Sequence, residues 1–154
     1  MVAITTYTFL KFLHVLLAIV AVGFNASYGV LLTRAARDPQ HLGHVLRTVK
    51  TLDDRFANPA YGLLFVTGMA MVVVGDVDLT QFWLAAAIGL YAFAILLGLF
   101  VYTPTLRHQI RAFETGGASS PEFRALAARG TVVGIVLAVD VVAIVFLMVT
   151  QPVL

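Results

Sequence analysis

Apolar residues come in four long runs along the chain. The first covers residues 7–32 and reads YTFLKFLHVLLAIVAVGFNASYGVLL. About 20 apolar residues cross a bilayer core as a helix, so this run predicts a spanning helix. Runs at 59–75, 82–103 and 130–150 predict three more. Between the first two, Leu42, Val45, Leu46, Val49, Leu52 and Phe56 recur at helical spacing. They predict an amphipathic helix that lies at the membrane surface or extends the first span. Asn58-Pro59 reads as the cap and first turn of the second span. Gly75, Asp76 and Asp78 read as a short acidic turn, and Pro104 as the end of the third span. Ser120-Pro121-Glu122 reads as a helix start, and Gln151-Pro152 closes the last span. The expected fold is an all-α, four-helix transmembrane bundle forming one domain over residues 1–154.

Three polar residues of the first run share a stripe. Lys11 and His14 are three apart, and Asn25 lies eleven beyond His14. At 3.6 residues per turn they fall within about 60° of one another. Ala18, Val22 and Gly29 complete the stripe. Lipid gives no reason to align Lys, His and Asn, so the stripe is expected to face the bundle interior.

Composition agrees with a membrane setting. Of 154 residues, 60% are hydrophobic and 12% charged, whereas soluble domains carry about 25% charged residues. The run at 7–32 has no basic residue before it and is too long for a signal-peptide core. The formal net charge of +2 is no nucleic-acid signal, because the basic residues flank hydrophobic runs. There is no Cys, which excludes disulfides, thiolate haem ligation and iron–sulfur clusters. No Gly-rich phosphate loop or nucleophile elbow appears.

Nine of the ten Lys and Arg residues follow the first and third runs, Lys11 being the exception. The positive-inside rule therefore places those segments in the cytoplasm, with both termini and the Asp76–Asp78 turn outside. The arginines there are expected to meet anionic lipid headgroups.

Asp140 stands mid-run in VVGIVLAVDVVAIVFLMV. A mid-membrane carboxylate costs about 2.5–3.5 kcal/mol on insertion scales, so it needs a partner, a proton or a cavity. Its depth matches that of His14 within about 5 Å by helix rise. Asp140 is therefore expected to accept a bond from His14 or Lys11, either as a proton relay or as a structural clasp. His14 is the leading ligand candidate, since imidazole is the usual axial ligand of haem b. No second His lies at its depth, so a haem there is five-coordinate or shared by two copies. His41 and His44, three apart, form with His108 a weaker metal candidate that Asp53, Asp54 or Glu114 would assist. Tyr91, Gly98 and Tyr102 share a face of the third run, and Gly62, Gly68, Gly89 and Gly134 offer packing surfaces.

Several short patterns together resemble a bacterial family of predicted four-span integral membrane proteins. They are Lys11-Phe-Leu-His14, Leu31-Leu-Thr-Arg-Ala-Ala36, Leu52-Asp53 with Asn58-Pro59, Thr67-Gly68, Pro121-Glu-Phe-Arg124 and Leu147-Met-Val-Thr-Gln-Pro152. That family is similar, more distantly, to copper-resistance-D-like proteins and haem-containing membrane protoporphyrinogen oxidases. The oxidases also open with a Lys-x-x-His pattern. The resemblance implies a four-helix protein of the bacterial inner membrane with a prospect of haem b at His14.

Two functional readings fit these residues. In one, His14 ligates haem while Lys11, Asn25 and Asp140 tune the site. In the other, the same four residues are a structural network in a non-catalytic accessory subunit, scaffold or small proton-coupled carrier. A homo-oligomer or larger membrane complex suits either. Reporter fusions at either terminus are expected to read as external, and a cytoplasmic reporter at either end would overturn the orientation.

Overall fold

The computed structural model describes residues 5–152, and among these there is no strand. Four helices are long and apolar enough to cross a membrane: α1 (Thr6–Ala35), α2 (Pro39–Val74), α3 (Phe82–Gly116) and α4 (Pro121–Thr150). At 1.5 Å per residue the 36 residues of α2 and the 35 of α3 run well past a 30 Å bilayer core. The expected amphipathic segment is the first half of α2. It does not extend α1 but runs without a break into the second span. The chain turns at Ala36–Asp38, and Pro39 opens the return helix. Leu42, Leu46 and Val49 are buried against α1 and α3, so the apolar face meets protein rather than headgroups.

Two prolines stand inside helices. Pro59 and Pro104 lack the N–H that would bond the carbonyl four residues back, and their rings crowd it. Both helices nevertheless continue. Each carries a five-residue π segment just upstream, Asp53–Ala57 in α2 and Gly98–Tyr102 in α3. The Asn58 N–H donates to the Asp53 carbonyl, and the Thr103 N–H to the Gly98 carbonyl. Widening the turn gives each proline ring its room. Asn58 is thus a helical residue rather than a cap, and Pro104 does not end the third span.

The π segment also moves the buried face. The spacing over 42–52 continues to Phe56, yet Phe56 is 51% exposed and Ala57 is fully buried. One extra residue in a turn rotates the downstream residues by about 100°. Phe56 instead leans on Phe24, with ring centroids 5.5 Å apart.

The acidic turn and the last helix start form as the sequence predicts. Asp76 takes a positive φ of 49°. The Thr80 N–H donates to Asp78 Oδ1 at 2.8 Å, which holds that carboxyl below the usual carboxylate range. Ser120 caps α4 by accepting from the Phe123 N–H at 3.2 Å. Gln151, at φ 43°, closes it.

The large buried side chains gather at the basic end. Tyr28, Leu42, Leu46, Val49, Leu106 and Phe123 form the core there. Farther along the spans the buried residues are mostly small, including Ala21, Ala60, Ala87 and Ala94. Helices in lipid gain little from hiding apolar area and hold together by close approach. Where the helices leave the bilayer, burying large apolar groups stabilises them in the ordinary way. Phe113 packs edge-on to Phe123 at 5.7 Å and presses on Gly43. A Cβ on Gly43 would stand 2.6 Å from Phe113 Cε1. Gly43→Ala is expected to cost about 1–3 kcal/mol through overpacking. The melting temperature in detergent checks this, and adding Phe113→Ala, which restores the space, makes the second change less than additive.

Candidate functional site

Polar side chains meet at three levels inside the bundle. At the basic end Asp53, 6% exposed, opens the α2 π segment. Its Oδ2 accepts from Thr103 Oγ1 at 3.2 Å and from Asn58 Nδ2 at 3.4 Å. One carboxylate thus ties the α2 π segment to Thr103, the residue that follows the α3 π segment. Lys50, paired with Asp54, stands near enough to act on Asp53. Tyr28 and Tyr102 do as well. The Tyr28 hydroxyl is buried with no hydrogen-bond partner among the described residues.

At the middle level Asn25 donates from Nδ2 to the Tyr61 hydroxyl and, at 3.0 Å, to the Ala21 carbonyl. Tyr91 of α3 donates to the Tyr61 carbonyl at 2.6 Å. Asp140 of α4 is 7% exposed. Its Oδ2 has no partner among the described residues.

At the third level His14 of α1 is half-buried against α2. Its Nδ1 lies 3.1 Å from Thr67 Oγ1. That hydroxyl has a single hydrogen, directed at the Leu63 and Leu64 carbonyls at 2.9 and 3.0 Å. Thr67 must then accept, so in the neutral ring Nδ1 carries the proton and Nε2 keeps a bare lone pair. Gly68 makes the approach possible, since a Cβ there would meet His14 Cε1 at 3.0 Å.

These positions correct the single-stripe expectation. His14 and Asn25 do turn inward, towards Thr67 and Tyr61. Lys11 is exposed, being 60° farther round and a turn closer to the helix end. Asp140 accepts from neither His14 nor Lys11. Equal depth did not bring them together, because α1 packs chiefly on the second half of α2 while α4 packs chiefly on α3. Thr67 is the group that orients His14.

His41, His44 and His108 are all exposed at the basic end, and His41 Nδ1 pairs with Asp38 Oδ2 at 2.7 Å. Among the described residues no three His, Asp or Glu side chains gather to hold a metal ion. For haem the fit rests on His14 alone. A ring N–H held by a neighbour with the other nitrogen bare is the arrangement a metal-ligating His adopts. Asn25, committed to Tyr61, and Asp140 lie outside that set.

The family model for "Predicted integral membrane protein (DUF2269)" matches residues 8–152. The chain belongs to this family. No curated protein and no solved structure matches it. The match spans all four helices and all three polar levels of this family member.

Sequence reasoning missed Tyr61, Thr67, Thr103 and Tyr28 as interior partners, and gave Asp53 only a minor role. Asp53 had a usable signal, since it continues the stripe Leu42, Leu46, Val49 at helical spacing. A carboxylate on a buried face needs donors. Nitrogen spectra of 15N-histidine-labelled protein are expected to show His14 as the neutral Nδ1–H tautomer. Gly68→Ala or Thr67→Val should release it to exchange between tautomers, and an unchanged signal would separate Thr67 from the ring.

Proposed function

We propose that this integral membrane protein binds haem b through His14 Nε2, in the bacterial inner membrane with its basic end cytoplasmic and both termini outside. The observation that supports it is the pinned ring: His14 Nδ1 lies 3.1 Å from Thr67 Oγ1, whose own hydrogen is directed at carbonyls of its helix. Bound haem supplies one-electron chemistry. The chain's own residues set its surroundings. Thr67 fixes the ring orientation and raises the basicity of Nε2. Lys11, three residues earlier and exposed, offers an ammonium to a propionate carboxylate. Among the described residues only one His lies at this level, so His14 would hold the haem alone or together with His14 of a second copy of the chain. The exposed arginines at the basic end suit anionic lipid headgroups.

Protein expressed with a haem supply and purified in detergent is expected to show a Soret band that His14→Ala abolishes. Thr67→Val is expected to weaken haem retention about 10–100-fold, the usual effect of losing a group that orients a ligand. A wild-type sample without a Soret band, or a His14→Ala sample that keeps it, would overturn this reading and return His14 to helix packing.

A further inference from the structure

A hollow at the basic end lies apart from His14. It measures about 290 Å³ and is lined by His44, Arg47, Thr48, Thr51 and Leu52 of α2. We propose that it holds an anionic phospholipid whose headgroup carries hydroxyls. Arg47 and Arg55 take the phosphodiester, and Thr48 and Thr51 accept from the hydroxyls. This rests on the reading that the basic end meets anionic headgroups, and it is independent of haem.

Arg47 is held in place from a second helix. Its Nη1 donates to Glu114 Oε1 of α3 at 3.1 Å. A guanidinium has several N–H donors in one plane, so others remain for a phosphate. Glu114 offsets the Arg47 charge, and the surplus comes from Arg55. That residue lies one turn beyond Thr51 on the same side of α2 and is exposed. It has no ion-pair partner among the described residues. His44 is exposed as well and brings a ring N–H. The two threonines have the opposite character. Thr48 gives its hydroxyl hydrogen to the His44 carbonyl at 3.0 Å, and Thr51 gives its own to the Arg47 carbonyl at 2.9 Å. Each oxygen is then left to accept. Cations with acceptors beside them fit a ligand that carries both an anion and hydroxyl donors. An anionic headgroup without hydroxyls would leave the threonine oxygens to water.

Depth places the hollow among headgroups. Counted back from Val74, where α2 ends, Arg55 lies about 28 Å away along the helix axis. A hydrocarbon core is about 30 Å thick, so Arg55 stands at its inner edge. Thr51 is one turn farther out, in the headgroup layer. Leu52 gives the hollow an apolar wall, and Phe56, one turn nearer the core, is 51% exposed. Together they carry an apolar track from the hollow towards the acyl chains, which favours a lipid over a free phosphate ester. Size bounds the headgroup. About 300 Å³ is the small end for ligand sites, which suits a short polyol.

The test titrates lipids onto the full chain in detergent, prepared without haem supply, and counts bound lipid by native mass spectrometry. Phosphatidylglycerol and phosphatidylmethanol share the charged phosphodiester, and only the first has headgroup hydroxyls. Wild type is expected to retain phosphatidylglycerol about 3–10-fold better, the worth of one neutral hydrogen bond or slightly more. Thr48→Val combined with Thr51→Val, with an unaltered melting profile, is expected to erase that ratio and leave phosphatidylmethanol retention as it was. Thr51→Ser keeps the hydroxyl and is expected to keep the ratio. Arg55→Gln is expected to weaken both lipids about 3–10-fold with the ratio intact. Free glycerol phosphate is expected to displace neither lipid. Equal retention of the two lipids by wild type overturns the proposal, and this comparison decides the matter should the double variant misfold. So does an unchanged ratio in the folded double variant, or displacement by glycerol phosphate, which would make a soluble ester the ligand. Phosphatidylcholine separates this failure from the wider one. If both anionic lipids outlast it equally, the basic end still meets anionic lipid and only the hydroxyl site is lost. If neither outlasts it, the wider reading falls as well. The assay needs no haem, so its failure leaves the Soret experiment untouched.

Discussion

Two prolines inside long helices set the constraint on which the interior depends. In an apolar medium a lost backbone donor cannot be replaced by water. Pro59 and Pro104 each remove one, and each is preceded by a π segment that makes room for its ring. Asp53, in the first π segment, accepts from Thr103, the residue that follows the second. The same extra residue turns Phe56 outward and Ala57 inward. The buried face of the second half of α2, with Tyr61, results from that rotation.

The side-chain hydroxyls obey the same logic. Thr67, Thr105 and Thr131 each bond a carbonyl one turn back, which satisfies the hydroxyl hydrogen within its own helix. The oxygen can then only accept. At Thr67 this decides which nitrogen of His14 holds the proton, so a local helical habit of threonine sets the chemistry of a residue on another helix. The basic end works differently. Large side chains pack there, and Arg47 reaches Glu114 at 3.1 Å between exposed groups, an ion pair of about 0–1 kcal/mol. Stability at that end comes from the core beneath it.

His14 and the buried carboxyls of Asp53 and Asp140 occupy different parts of the bundle and have different access. The imidazole is half-buried on α1 against α2, with Nδ1 on Thr67. The carboxyls of Asp53 and Asp140 are buried. Joining them would require α1 to lie along α4, and the packing sets α1 mainly on α2. One chain thus carries two separate polar features with one acyl-chain-facing surface around them.

Amino-acid order alone determined four apolar spans, the acidic turn at Asp76–Asp78, the Ser120 cap and the close at Gln151. Each depends on hydropathy or on residues within one turn. It also identified His14 and Asn25 as inward-facing, because eleven residues return a helix almost to the same side. Tertiary structure decided what those groups meet. Depth in a membrane is legible from residue number, but azimuth depends on which helices are neighbours, and so Asn25 met Tyr61 while His14 met Thr67. The fate of the two prolines was likewise decided in the fold: proline tends to end a helix in isolation, whereas here a π segment ahead of each ring carries the helix through.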